Sequence, residues 1–196
     1  MGTPDKAGHL QAVSPEGDAE LRAMLDGLGR GERAAAGRFF DRFEAEVNRI
    51  VWSLLGADQD HDDVVSDAFG AMLTGAHRLR SVTAVRGWVR AVTVNAVRQE
   101  LRRRRWRRLF APEEEGLSHP DAAVADDATR ERARRLLRVL ARLGTEERLV
   151  LTLRHLEGYE LTELAEATGV SLATAKRRLA RAQARLDAEL DAEGPR

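Results

Sequence analysis

From Phe39 onward the apolar residues fall at Phe39, Phe40, Phe43, Val47, Ile50, Val51, Leu54 and Leu55. Steps of three and four predict one continuous helix with a single buried stripe. The polar run "GADQDHD" interrupts it. A second helix then turns Val64, Val65, Ala68, Phe69, Met72 and Leu73 inward and leaves Asp62, Asp63, Ser66 and Asp67 on the other side. After the loop "GAHRLRSVT", with Thr83 as the expected N-cap, a third helix carries Val85, Trp88, Val89, Val92 and Ala96 and runs on into arginines.

The stretch "APEEEGLSHPDAAVADD" has no periodicity and holds two prolines, a glycine and many acids, so it reads as a flexible linker. Helical pattern resumes near Thr129 with Leu136, Leu137, Val139, Leu140 and Leu143, and Gly144 ends it. Thr145 is expected to cap the next helix, with Glu146 and Glu147 in its first turn, where the helix dipole favours them. That helix carries Leu149, Val150, Leu153 and Leu156. The expected fold is all-α: a tail over residues 1–20, a helical domain over 21–110, a linker over 111–128 and a second helical domain over 129–192. With a flexible linker the two domains are expected to move independently in the free protein.

The segment "LTELAEATGVSLATAKRRLARAQARL", residues 161–186, is the most informative. It predicts a short helix, a tight turn at Gly169 where positive φ is needed, a Ser171 N-cap and a second helix. Ala165 suits a close helix crossing, and Val170 is expected to plug the core beside Leu164. Ala175, Leu179, Ala182 and Leu186 share one face of the second helix. Ala173, Thr174, Arg177 and Arg181 then face outward, flanked by Lys176 and Arg178. Such a helix-turn-helix presents forked donors at a spacing that a DNA major groove accepts.

Charge changes the picture further. The 196 residues carry 32 basic and 32 acidic side chains, a net of zero, yet the charges are segregated. Residues 96–110 have a net charge of +6, residues 111–131 of −6 and residues 171–186 of +5. Two basic helices separated by an acidic connector point to two contacts with one polyanion. The acidic connector could lie across those helices and mask them.

Cysteine is absent, which excludes disulfides and thiolate metal sites, and the five histidines are scattered. No signal peptide or apolar span is read, so a cytoplasmic protein is expected. Paired catalytic acids, a nucleophile elbow and a phosphate loop are missing; "GLGRGE" at 27–32 lacks a P-loop lysine. No enzyme activity, cofactor, metal or small-molecule substrate is expected.

In the first domain "DHDDVVSDAF" is similar to D-x-E-D-L-V-Q-E-x-F, and "VRGWVRAVTVNAVRQELRRRR" to F-R-x-W-L-x-x-I-A-x-N-x-x-x-D-x-x-R. In the second domain, residues 161–186 resemble S-x-x-E-I-A-x-x-L-G-I-S-x-G-T-V-K-S-R-L-x-R-A-x-x-x-L. Together and in this order they resemble regions 2 and 4 of the extracytoplasmic-function (ECF) sigma factors of the sigma-70 superfamily. The chain departs from that pattern at Ser66, Gln99, Gly144, Ala173 and Ala175.

The resemblance implies a factor that binds core RNA polymerase, recognises promoter −10 and −35 elements and melts DNA. It assigns polymerase binding to Asp60, Asp62, Asp63 and Asp67. It assigns the −10 element to Asn95, Arg98, Arg102 and Arg103, and capture of a flipped base to the loop "HRLRSVT". It assigns the −35 element to Ser171, Thr174, Lys176, Arg177, Arg178 and Arg181. Trp106 is read as packing on its own domain, with base stacking as the other reading. A separate anti-sigma protein is an expected partner. Two other readings compete: a dimeric helix-turn-helix regulator acting without polymerase, and an interaction module that binds no DNA.

Overall fold

A computed structural model describes residues 15–56, 60–79, 81–110, 138–140 and 142–193, and every regular element among them is helical. In chain order these are α1 (Pro15–Gly29), α2 (Arg33–Leu55), α3 (His61–Gly75), two 3-10 turns (Ala76–Arg78 and Val82–Ala84), α4 (Val85–Phe110), α5 (Thr145–His155), α6 (Leu161–Thr168) and α7 (Leu172–Glu193). Residues 138–140 and 142 are helical as well. The linker, residues 111–128, lies outside the described residues, as do the side chains of Arg105 and Trp106.

The first half is built on the expected stripe. Ala35, Phe39, Phe43, Val47, Ile50, Val51, Leu54 and Leu55 of α2 are buried against α1, α3 and α4. Phe40 and Leu73, which the periodicity also placed inward, lie at the edges of their stripes and are exposed. Phe40 instead covers the Phe69 ring, with centroids 4.6 Å apart. Helix α1 begins at Pro15, so residues 15–20 of the expected tail are helical. Proline is pre-organised for a first helical turn, and Leu21, Met24, Leu25 and Leu28 recur at helical spacing and are buried.

Entry to α4 also differs from expectation. Thr83 sits inside a 3-10 turn, its hydroxyl 2.7 Å from that of Ser81, and α4 follows that turn directly. Gly75 matters here for its missing side chain: a Cβ at this position would lie 3.1 Å from Trp88 Cζ2. The indole therefore packs over the end of α3, half-buried against the core.

The helix-turn-helix forms as its residues require. Gly169 adopts φ +66°, and the Val170 N–H donates to the Ala165 carbonyl at 3.0 Å, closing the end of α6 with a left-handed cap. Ala165 is buried at the crossing, as are Ala175 and Ala182, with Leu179 and Leu186 against the same core. Val170 is only half-buried. At the start of α5 the N-cap is Gly144, not Thr145, and its N–H donates to the Glu147 carboxylate at 2.9 Å. A glutamate at the third helical position reaches back to this N–H more readily than a threonine at the first could accept from the turn ahead.

The two halves are packed together, contrary to the independent motion expected of them. Helix α4 is in contact with α6 as well as with α2 and α3, and α2 meets α5. One continuous cluster of buried side chains runs from Leu21 through Val94 and Val97 to Leu149, Tyr159 and Leu164. Because α4 is covered on several sides, Thr93, Val94, Val97, Glu100, Leu101 and Arg104 are buried in addition to the predicted stripe.

Candidate nucleic-acid interface

Helix α7 presents its basic residues as the spacing predicts. Ala173, Lys176, Arg177 and Arg181 are exposed while Ala175 and Ala182 are buried on the opposite side. Its first turn is tied together locally. The Thr174 N–H donates to Ser171 Oγ at 3.2 Å, which confirms the cap, and Arg177 Nη2 donates to Thr174 Oγ1 at 3.3 Å. The hydroxyl of Thr174 thus steers the guanidinium along the exposed edge of the helix. Arg178 is half-buried and turned the other way, toward α5.

Along α4 the residues assigned to the −10 element differ in accessibility. Asn95, Arg102 and Arg103 are exposed. Arg98 is not: its side chain retains 12% of its exposure. Its Nη1 donates to Asn95 Oδ1 at 3.1 Å, its Nε lies 2.8 Å from Glu146 Oε1 and its Nη2 donates to Glu146 Oε2 at 3.3 Å. The same Oε2 accepts from Arg178 Nη1 at 3.2 Å. The Arg98–Glu146 pair thus has one hydrogen bond, from Nη2, and one close charge contact, at Nε, which has no hydrogen-bond partner among the described residues.

The acidic edge of α3 borders the arginine run. Asp62, Asp63 and Asp67 are exposed and Asp60 is half-buried. Asp67 Oδ2 lies 3.6 Å from Arg103 Nη1. Arg104 is buried between Glu100 (3.2 Å) and Asp60 (3.3 Å), so its charge holds α3 to α4. A groove between these helices is lined by Asp60, Asp63, Val64, Asp67, Arg102 and Arg103. The surfaces assigned to polymerase and to DNA are therefore neighbours, and at pH 7 their charges offset one another along this seam.

A set of side chains between the halves escaped the sequence reading. Arg90 of α4 is almost buried; it pairs with Glu46 of α2 at 2.7 Å and with Glu163 of α6 at 2.5 Å, and its Cζ lies 4.9 Å from the centroid of the Tyr159 ring. Arg49 of α2 pairs with Glu157, which is buried in the turn between α5 and α6. Burial pushes the Tyr159 phenol above its ordinary range, against the opposing pull of the Arg90 charge. Glu146 could be read from sequence only as a helix-start acid. Its two arginine partners lie 48 residues before it and 32 after it, beyond the reach of any local periodicity.

Among the described residues no group of His, Cys, Asp and Glu is placed to hold a metal ion. No helix among them is long and apolar enough to cross a membrane.

Comparison with known proteins places this geometry. Residues 39–107 match the model of sigma-70 region 2, and residues 133–186 match that of sigma-70 region 4. The chain is 31% identical over 195 residues to the ECF RNA polymerase sigma factor SigM of Mycobacterium tuberculosis, covering 93% of this chain and 92% of that protein. It is 30% identical over 190 residues to the RNA polymerase sigma factor CnrH of Cupriavidus metallidurans, covering 92% and 98%. Its fold is like that of CnrH in the structure with the cytosolic domain of CnrY, with a TM-score of 0.59 at 24% identity over 88% of this chain and 98% of that one. The fold, the two matched regions and the full-length relatives together make this chain a member of the ECF family of RNA polymerase sigma factors.

Proposed function

We propose that this sigma factor docks on core polymerase through Asp60, Asp62, Asp63 and Asp67. It reads the −10 element with Asn95, Arg98, Arg102 and Arg103, and the −35 element with Ser171, Thr174, Lys176, Arg177, Arg178 and Arg181. The observation that carries the reading is the exposed face of α7, where Lys176, Arg177 and Arg181 stand clear of the core while Ala175 and Ala182 anchor the helix. Arginine forks read base edges, while the arginines of α4 supply mainly sequence-independent attraction to phosphates. Opening of the duplex requires no hydrolysis in this scheme: unstacked bases are held in a pocket and along a basic groove.

The working divisions are a first domain over 21–110 and a second over 129–192, with 111–128 as connector. The protein acts in the cytoplasm, not as an enzyme, and has a separate anti-sigma protein as regulator. The last point is supported by the relative CnrH, whose structure was determined with the cytosolic domain of CnrY. Run-off transcription with purified core polymerase, followed by start-site mapping, tests the proposal. Transcripts that appear only with both proteins, from templates sharing two spaced elements, are the expected result. Tight binding to a palindromic duplex without polymerase, and no transcript, would favour a stand-alone regulator.

A further inference from the structure

Between α3 and α4 the apolar residues recur at every third position, Ala76, Leu79, Val82 and Val85. Ala76, Val82 and Val85 are buried, and Leu79 is half-buried against the same core. A period of three is that of a 3-10 helix, in which side chains at i and i+3 eclipse and so line up on one side. Helix α1 is in contact with both 3-10 turns as well as with α2. Its Leu21, Met24, Leu25 and Leu28 belong to one buried cluster with Ala76, Val82 and Val85. Yet α1 ends at Gly29, ahead of the residues 39–107 that match sigma-70 region 2, so that match gives it no task.

The polar side of the same turns is exposed and tied down. His77, Ser81 and Thr83 are exposed. The Leu79 N–H donates to the Ala76 carbonyl at 3.0 Å, and the Ala84 N–H to the Ser81 carbonyl at 3.2 Å. The Ser81 and Thr83 hydroxyls lie 2.7 Å apart, so one donates to the other and the pair keeps one proton to offer a ligand. His77 Nδ1 lies 2.8 Å from the Thr74 carbonyl oxygen, which can only accept. The ring proton is therefore held on Nδ1, and Nε2 of the neutral ring is an acceptor.

We propose that α1 is a positioning helix for promoter reading. It braces the two 3-10 turns from the core side, so that His77, Ser81 and Thr83 meet an unstacked base of the −10 element in a preformed arrangement. The inference rests on the promoter-reading function proposed above. Fixed donors and acceptors of this kind suit the hydrogen-bonding edge of a base, which is reached only after the base leaves the stack. Without the brace the DNA itself would have to order the turns, and that ordering is subtracted from affinity. Helix α1 acts through the turns and makes no base contact of its own.

Two measurements on the full chain test this, and the first needs no DNA. Hydrogen exchange at the Leu79 and Ala84 amides reads the order of the two turns. Leu25→Ala should speed exchange at these amides by roughly tenfold, with the rise confined to α1 and the turns, and Leu25→Met should restore protection. Leu25→Val, a smaller truncation, takes its place if Leu25→Ala does not fold. No change at the two turns, or a uniform rise along the whole chain, would overturn the brace.

The second uses holoenzyme assembled with core polymerase and single-stranded −10 oligonucleotides. Changing one base at a time finds the position at which the unaltered chain discriminates. The folded Leu25 variant should lose roughly tenfold in discrimination there, as should Ser81→Ala with Thr83→Val, while core affinity and binding to a −35 duplex stay within about twofold. Full discrimination by the folded Leu25 variant would overturn the proposal. So would an equal weakening of all three activities, which would make Leu25 a stabilising residue and nothing more. An unaltered chain that binds no −10 strand even with core would instead sink the promoter reading itself, and hydrogen exchange would then still decide whether α1 orders the turns.

Discussion

Arg90 stands over the ring of Tyr159, its guanidinium carbon 4.9 Å from the ring centroid, and this contact joins two halves that the sequence places apart. The Tyr159 hydroxyl is buried with no hydrogen-bond partner among the described residues. Its ring, not its hydroxyl, is what the site uses. Tyr159→Phe should leave stability unchanged or raise it by about 1 kcal/mol, because a buried unsatisfied polar group is removed. Tyr159→Ala should cost about 3–5 kcal/mol through the cavity and the lost cation–π contact. Urea unfolding of both variants distinguishes these outcomes; a Tyr159→Phe protein as weak as Tyr159→Ala would place the stabilisation in the hydroxyl.

At Asp63 the acidic edge of α3 should behave as a docking surface without a structural role. Asp63 is exposed and one turn from Asp67. Asp63→Lys should weaken co-purification with core polymerase by about tenfold while leaving the melting temperature within a degree or two. Unchanged retention on immobilised core would remove Asp63 from the interface.

The two basic helices should fail in different ways. Arg177→Ala loses an exposed fork already steered by Thr174 and should relax preference at one −35 position, a change of roughly 1–3 kcal/mol. Arg98→Ala should leave −35 recognition alone and lower the yield of open complex on duplex promoters. A template with a pre-melted bubble should rescue Arg98→Ala in part and not Arg177→Ala. Permanganate footprinting on both templates reads the difference, and one shared pattern would show that the helices do not divide the work.

Gly169 supplies the positive φ at the turn between α6 and α7, with no heavy atom crowding its Cβ position. Gly169→Ala should therefore cost roughly 1–2 kcal/mol by backbone strain alone. Thermal unfolding should show the loss. Binding to a −35 duplex below the new midpoint should be retained, because no contact residue has moved.

How much of this was legible beforehand depended on the range of each signal. The Gly169 turn, the Ser171 cap and the buried Ala175–Ala182 face are set by residues within a turn or two of one another, and the sequence pattern places them correctly. Phe40 and Leu73 were misplaced because periodicity identifies a stripe but not how wide its covering partner is. The two cap assignments missed by one or more residues, since a 3-10 turn and a backward-reaching glutamate compete with a simple hydroxyl cap. Arg98 was identified as a candidate contact, but its engagement by Glu146 was invisible. So was the pairing of Arg49 with Glu157, 108 residues away. Charge counting found the segregation of basic and acidic stretches and looked for the masking acids in the linker. The described acids that meet α4 from other elements are Glu46 of α2, Asp60 and Asp67 at α3, Glu146 of α5 and Glu163 of α6, while the linker lies outside the described residues.

Helix α4 runs unbroken over 26 residues, and beyond Gly87 it contains neither glycine nor proline. At 1.5 Å per residue it is a rod of about 39 Å. It is gripped by the second domain at Arg90 and, near its middle, at Arg98, while the arginine run occupies the far end. The stretch beyond Arg98 acts as a lever about 18 Å long: a tilt of about 5° there sweeps the far end by roughly 1.5 Å, about half the length of a hydrogen bond. Release of the second domain would therefore be felt at Arg102 and Arg103 through the stiffness of one helix.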